Sequence, residues 1–379
     1  MTPGSPQDAG MVRIGLIGAG VIGATHSAVL QQISRELPGR VELAAVADPD
    51  PSRRELFQQL YGYSMAFASA EELFEHGEPS AIFICTPTRH HAAMVHAAAE
   101  RGLDIFCEKP LAMSYREGER MVAAAERAGC KTQIGLVLRY SPVYTVMRSL
   151  LQVPGTGEPL ATVFRDDQCF PIRGFHDSGW RADRTISAGG TLIEHGVHDL
   201  DILTWFFGPI ARVRAWERNF AGHAGIEDYV AAEIEMASGL RAQLINIWHN
   251  VLRRHSNRRL EIFCQNTFIA SEHDMHGEVI HQLGDREAET ISADEVVARF
   301  VAEHHAADHP LRDWFGAAYL VQDLAFIEAL TAGKQPSPSL REGLEAQRLA
   351  YAVYHAARTG EEVEVESFTP AKEDLDQTL

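Results

Sequence analysis

Met11–Gly23 reads MVRIGLIGAGVIG. The first seven residues are a short apolar run, and the last six carry three glycines spaced as GxGxxG. A strand that runs into such a turn and then into a helix opens a dinucleotide-binding α/β unit. Each glycine has its own task. Gly18 makes the tight turn, Gly20 lets the backbone approach a pyrophosphate, and Gly23 lets the helix pack close to the strand. Val21 and Ile22 begin the helix, whose N-terminal amides and positive dipole end suit a phosphate.

Downstream, strand and helix alternate. The first helix is expected to run to about Glu36, and the strand VELAAVAD ends on Asp48. Helical stretches then separate short strands near Met65–Phe67, at Ala81–Thr86 (AIFICT), at DIFCEKP and at KTQIGLVL. Apolar strands of this kind, each followed by a helix, predict a parallel sheet covered on both faces. The strand ends of such a sheet line a ligand crevice. Asp48 there would accept the ribose hydroxyls of NAD and repel a 2′-phosphate, whereas Arg53 and Arg54 leave NADP open. The alternative is that Asp48 only starts the turn DPDPS. Thr86 and Pro87 would shape a loop under the nicotinamide half. His91 either joins them or packs the following helix.

DIFCEKPLAM, Asp104–Met113, ends a core strand on a glutamate, a lysine and a proline. Charged residues are seldom buried without partners, and proline cannot donate to a sheet ladder. At the crevice, Lys109 can take and return a proton, with burial and nearby positive charge lowering its pKa toward working pH. Glu108 would pair with a neighbour or hold a ribose hydroxyl. Pro110 fixes the chain direction and is a candidate for a cis Lys109–Pro110 bond.

After about Lys131 the pattern changes to alternating strands: ATVFRDD, RVRAWER, YVAAEIEM, RAQLINIW, RLEIFCQ and TFIASE. In YVAAEIEM, Val230, Ala232, Ile234 and Met236 share one face, as in a sheet with one side in the core. The reading is therefore α/β: a Rossmann domain over residues 11–131, then an α+β domain over 132–379 with an open, mostly antiparallel sheet and closing helices. GGTLIEHGVHDLDILTW carries Glu194 and His198 at i and i+4, on one helix face. Arg139, Tyr140, Trp180 and Arg181 either line a sugar site or serve packing and surface pairing. Glu194, His195, His198 and Asp201 could also hold a metal, but no cysteine or HxH spacing supports one, and no metal is expected. The histidines around His273 and in EHHAADH at 303–309 read as solvated.

The net charge of −18 disfavours nucleic acid. No apolar run reaches the roughly 18–20 residues of a membrane span. The first ten residues lack the regions of a signal peptide and read as a disordered leader. Five cysteines without CxxC spacing suggest reduced thiols and a cytoplasmic protein.

GAGVIG with His26 three residues on, VAD, CTPTRHH, CEKPLA, GLVLRYSP and GGTLIEHGVHDLDILTWFFG together resemble the Gfo/Idh/MocA oxidoreductases, over nearly the whole chain. That family includes glucose–fructose oxidoreductase and inositol dehydrogenases. The resemblance implies a nicotinamide dinucleotide cofactor and Lys109 as catalytic acid/base. It implies a second domain whose exposed sheet face forms a subunit interface, hence a homodimer or homotetramer. It also implies that His198 assists the proton transfer and that Glu194, where the family usually has Asp, orients the substrate. The expected reaction is hydride transfer between NAD and a secondary hydroxyl of a sugar, inositol or cyclic polyol. Two rivals share the fold: glycoside cleavage through transient oxidation, and a non-catalytic sugar or dinucleotide sensor.

Overall fold

The computed structural model describes residues 10–172, 178–254, 256–304 and 317–370. The leader over 1–9, residues 305–309 of the histidine stretch and the tail over 371–379 lie outside the described residues. The chain forms two compact units.

The first unit alternates strand and helix: β1 Val12–Ile17, α1 Val21–Glu36, β2 Val41–Ala47, α2 Pro51–Tyr61, β3 Met65–Phe67, α3 Ala70–His76, β4 Ala81–Ile84, α4 His91–Glu100, β5 Asp104–Cys107, α5 Tyr115–Ala128 and β6 Thr132–Ile134. Local chemistry sets the breaks. The Asp50 side chain accepts from the Ser52 and Arg53 amides, with Pro51 opening α2, and Gly62 ends that helix in the left-handed region. Ser69 caps α3. The six strands lie in the order β3-β2-β1-β4-β5-β6, all parallel. Strand order reverses beside β1, so a crevice opens between the ends of β1 and β4.

The second unit holds α6 Pro142–Leu150, β7 Pro159–Cys169, α7 Val197–Phe207, β8 Ile210–Arg218, β9 Tyr229–Met236, β10 Arg241–His249, β11 Asn257–Cys264, β12 Thr267–Ser271, β13 Val279–Leu283, β14 Glu289–Ile291 and α8 Ala293–His304. Among the described residues its sheet runs β14-β13-β12-β11-β7-β10-β9-β8, with the short β15 (Val363–Glu364) on the β8 edge. Every pairing is antiparallel except β7 with β10. In β9, Val230, Ala232, Ile234 and Met236 are the buried set, as their alternation requires.

The chain then returns. α9 (Ala317–Thr331) and the start of α10 (Leu340–Thr359) belong with the first unit, not the second. The sequence predicts one boundary, between 131 and 132, whereas residues 317–344 cluster with 10–112 and 116–135. The cause is packing. Leu320, Leu324, Phe326 and Ile327 of α9 share a core with Leu30 and Ile33 of α1 and with Phe83 and Phe106 of the central strands. Among the described residues no helix is long and apolar enough to cross a membrane.

Candidate active site

The glycine turn follows β1. Gly18 has φ of +102°, and a Cβ there would meet the Cys85 carbonyl at 2.7 Å. A Cβ on Gly23 would lie 2.2 Å from the Gly18 oxygen. Both positions exclude any side chain. Gly20 differs, because a Cβ there would face open space. It precedes α1 without a side-chain cap, and the first turn carries no acid. Val21 is half exposed and Ile22 packs on the core. These amides therefore face a space that an anion can enter.

Asp48, at the end of β2, is buried. Its Oδ2 accepts from the Ala19 amide at 2.8 Å and its Oδ1 from the Asp50 amide at 2.9 Å. The carboxylate thus braces the glycine turn and also starts its own turn. Arg54 donates to the Asp48 and Pro49 carbonyls, and Arg53 pairs with Asp50 at 3.6 Å. At the end of β4, Thr86 Oγ1 is buried without a hydrogen-bond partner among the described residues. Pro87 leads into a short 3₁₀ turn, Thr88–His90.

His91 is buried. Its Nδ1 lies 3.0 Å from the Pro110 carbonyl and its Nε2 2.9 Å from the Thr86 carbonyl. Both ring nitrogens face main-chain carbonyls, and a neutral ring donates to one of them at a time, so His91 links the β4 loop to the segment after β5. These contacts are those of the packing alternative. Burial lowers its pKa.

Glu108 extends β5, its amide bonded to the Ile84 carbonyl. One carboxylate oxygen lies 3.1 Å from His26 Nε2, and the other accepts from the Lys109 amide at 3.1 Å. A Cβ on Gly135 would come within 2.5 Å of it, so that glycine makes room for the carboxylate. Of the two uses expected for Glu108, pairing with a neighbour is the one observed. The Lys109–Pro110 bond is cis. Gly18, Gly20, Gly23, Asp48, Thr86, Pro87, His91, Glu108 and Lys109 all gather at the C-terminal ends of one sheet.

Arg139, Trp180, Arg181, Glu194 and His198 belong to the second unit. Arg139 grips Asp201 with two bonds of 2.8 and 2.6 Å. Arg181 stacks on Trp180 at 4.5 Å and donates to Glu194 at 3.1 Å. Glu194 and His198 are both buried. The sequence predicts a plain helix here, but Leu192–Gly196 is a π-turn that runs into α7. Glu227 accounts for its anchoring. It accepts from the Gly190 and Leu192 amides at 2.8 and 2.9 Å and from the Tyr354 hydroxyl at 2.8 Å. A Cβ on Gly190 would strike the Glu227 main-chain carbonyl, so that position must stay bare, while one on Gly189 would crowd Ile193 and the Tyr354 hydroxyl. Burial pushes Glu227 up to about 7, against those bonds.

Asp199 accepts from Asn246 at 2.6 Å and from Arg258 at 3.0 Å. Arg258 also holds Asp166 and Asp274, and burial pushes Asp166 up to about 8. His195 meets Gln168 and the edge of Trp248 at 5.7 Å. Among the described residues no group of three His, Cys, Asp or Glu is arranged to hold a metal ion. Glu227, Arg258 and Asp323 were not singled out from the sequence. Only Asp323 left a local trace there, as an acid between the apolar Val321 and Leu324 in LVQDLAFIEAL.

Residues 12–136 match the family model "Oxidoreductase family, NAD-binding Rossmann fold", and residues 144–270 match "GFO/IDH/MocA C-terminal domain". The rhizopine catabolism protein MocA of Rhizobium meliloti is 31% identical over 60% of this chain and 68% of its own. Inositol 2-dehydrogenase 1 of Saccharopolyspora erythraea is 26% identical over 94% of this chain and 96% of its own. A levoglucosan dehydrogenase solved in complex with NADH shares the fold, with a TM-score of 0.81 over 93% of this chain and 99% of that one at 20% identity.

Proposed function

From the premise that the chain belongs to the Gfo/Idh/MocA family of NAD-binding oxidoreductases, we propose that it moves a hydride between NAD and a carbon bearing a secondary hydroxyl. The substrate class is a sugar, an inositol or a related cyclic polyol, and Lys109 is the acid/base. The observation that carries this reading is the strand end itself. Glu108 is held by His26 and by the Lys109 amide, and the next residue is a lysine at the same end of the sheet as the glycine turn.

The residues present fit the dinucleotide. Gly20 faces open space, the first turn of α1 lacks a side-chain cap and an acid, and the Thr86 hydroxyl is buried without a partner among the described residues. NAD is favoured over NADP because Arg53 and Arg54 are used within their own loop, while Asp48 stands at the ribose position. When bound, the cofactor supplies the two-electron carrier. Lys109 takes the hydroxyl proton on oxidation and returns it on reduction. On the substrate side, His198 handles a hydroxyl proton and Glu194, held by Arg181, fixes the sugar. Asp201 occupies Arg139, so that residue supports α7 in this reading.

The five free thiols fit a reducing compartment, the cytoplasm. The outer face of the second sheet carries Trp216 and Phe263, both exposed, with Phe268 against Phe263 at 5.0 Å. Such a face suits a second copy of the chain, as a homodimer or homotetramer.

The test is a cofactor-reduction screen over myo-inositol, levoglucosan and aldoses with NAD and NADP, followed by Lys109→Met. The variant should bind NADH as the parent does and lose turnover by about 10²–10⁴-fold. Unchanged turnover would remove Lys109 from the chemistry.

A further inference from the structure

His26 lies on α1, six residues past Gly20, and is wholly buried. Two acids far away in sequence close on it. Nδ1 lies 3.0 and 2.8 Å from the two oxygens of Asp323 on α9, and Nε2 lies 3.1 Å from Glu108. An ionised carboxylate only accepts. With Asp323 and Glu108 both ionised, the two contacts are attractive only if both ring nitrogens carry hydrogen, which makes the ring an imidazolium; burial pushes Asp323 up, and the ring's charge works against that push. Phe83, Phe106 and Tyr319 wall it edge-on at 5.4, 4.9 and 5.8 Å.

We propose that His26 is a positioning residue for the reaction: clamped by Asp323, its charged ring holds Glu108, and Glu108 in turn fixes the main chain from which Lys109 projects. The proposal rests on the reading of Lys109 as acid/base. Glu108 has one oxygen on His26 and the other on the Lys109 amide, so any swing of the ring is passed directly to that peptide. Gly135 closes the remaining side. Electrostatics agree with the geometry. Burial pulls the His26 pKa down, but Asp323 and Glu108 outweigh it and push the value up to about 10. Burial also pushes the thiols of Cys85 and Cys107 up, which keeps them neutral beside the ring.

The test uses the full chain labelled with ¹⁵N-histidine, without cofactor. The His26 signal is the one of 18 histidines that disappears in His26→Gln. In the parent it should keep the imidazolium pattern from pH 6 to pH 9. In Asp323→Asn it should titrate inside that range. In the same variant kcat should fall at least tenfold with myo-inositol or levoglucosan, whichever the screen shows to be turned over. The NADH dissociation constant should stay within threefold, and the pH–rate profile should gain an inflection where His26 titrates. Asp323→Glu should restore the charged ring and most of kcat. A role confined to packing would not create that inflection. A neutral ring in the parent at pH 7 overturns the proposal. So does Asp323→Asn with a titrating ring and an unchanged kcat and profile. If Asp323→Asn does not fold, the parent spectrum and Asp323→Glu still decide, since a charged ring combined with lost kcat in Asp323→Glu also overturns it. Full turnover in Lys109→Met, by contrast, would sink the acid/base reading while leaving the measured charge of His26 intact.

Discussion

An ordinary histidine is mostly neutral at pH 7, with a pKa near 6.5. His26, pushed up to about 10 by its two carboxylates, binds its proton more tightly folded than unfolded. The sign of the linkage follows. Its stabilising contribution is complete below about pH 6.5 and is lost as pH rises toward 10. Glu227 and Asp166, also raised, lose theirs lower, by about pH 7 and pH 8. Buried thiols add to the loss at high pH, so a difference measurement is needed. Urea unfolding at pH 7, 8 and 9 should give the parent a steeper fall in stability than Asp323→Asn, by up to one proton, or about 1.4 kcal/mol per pH unit. Parallel lines for the two proteins would mean that His26 is not held charged by Asp323. The presence of His26 in the motif was legible in the sequence, but its partners were not. Asp323 lies 297 residues away, and no spacing rule joins them.

At the scale of elements, the glycine turn separates two demands that the sequence states together. Gly18 and Gly23 are needed by the fold, because a methyl group at either position strikes backbone. Gly20 meets nothing within 4 Å and has an ordinary negative φ, so the fold does not need it bare; on this reading the ligand does. Gly20→Ala should leave the melting temperature within a degree or two and weaken NADH binding at least tenfold by fluorescence titration. Gly23→Ala should destabilise the protein by about 3 kcal/mol or more. If Gly20→Ala binds NADH like the parent, the pyrophosphate is not held against that backbone. Strand–helix alternation made the first sheet legible, because each strand is an apolar run and Asp50 and Ser69 cap the helices after β2 and β3. The π-turn before α7 was not legible. It depends on Glu227 reaching the Gly190 and Leu192 amides from another part of the chain, and local periodicity holds no record of that.

At the scale of the whole molecule, the first unit is completed by a segment that arrives last. α9 inserts Leu320, Leu324, Phe326 and Ile327 into the core beside α1, and Phe326 meets the faces or edges of Phe83 and Phe106 at 5.5 and 5.7 Å. Burying four such side chains contributes about 1.5–3 kcal/mol each, which rivals the roughly 5–15 kcal/mol that separates a folded domain from its unfolded chain. Gln335 and Pro338 further tie this segment to β6, through the Thr132 and Ile134 main chain. The apolar character of LVQDLAFIEAL was visible in the sequence, but chain order suggested the neighbouring α+β domain, since an apolar face does not name its partner. A fragment of residues 10–136 should therefore fail to give a cooperative thermal transition, although it contains every strand of its sheet. Joining residues 317–344 to it through a flexible linker should restore both the transition and NADH binding. The same linked fragment carrying Asp323→Asn should melt earlier, because the restored helix would then bring its apolar face without the carboxylate that His26 requires. A cooperative, NADH-binding 10–136 fragment on its own would show that the returning helix covers the unit without being needed to hold it together.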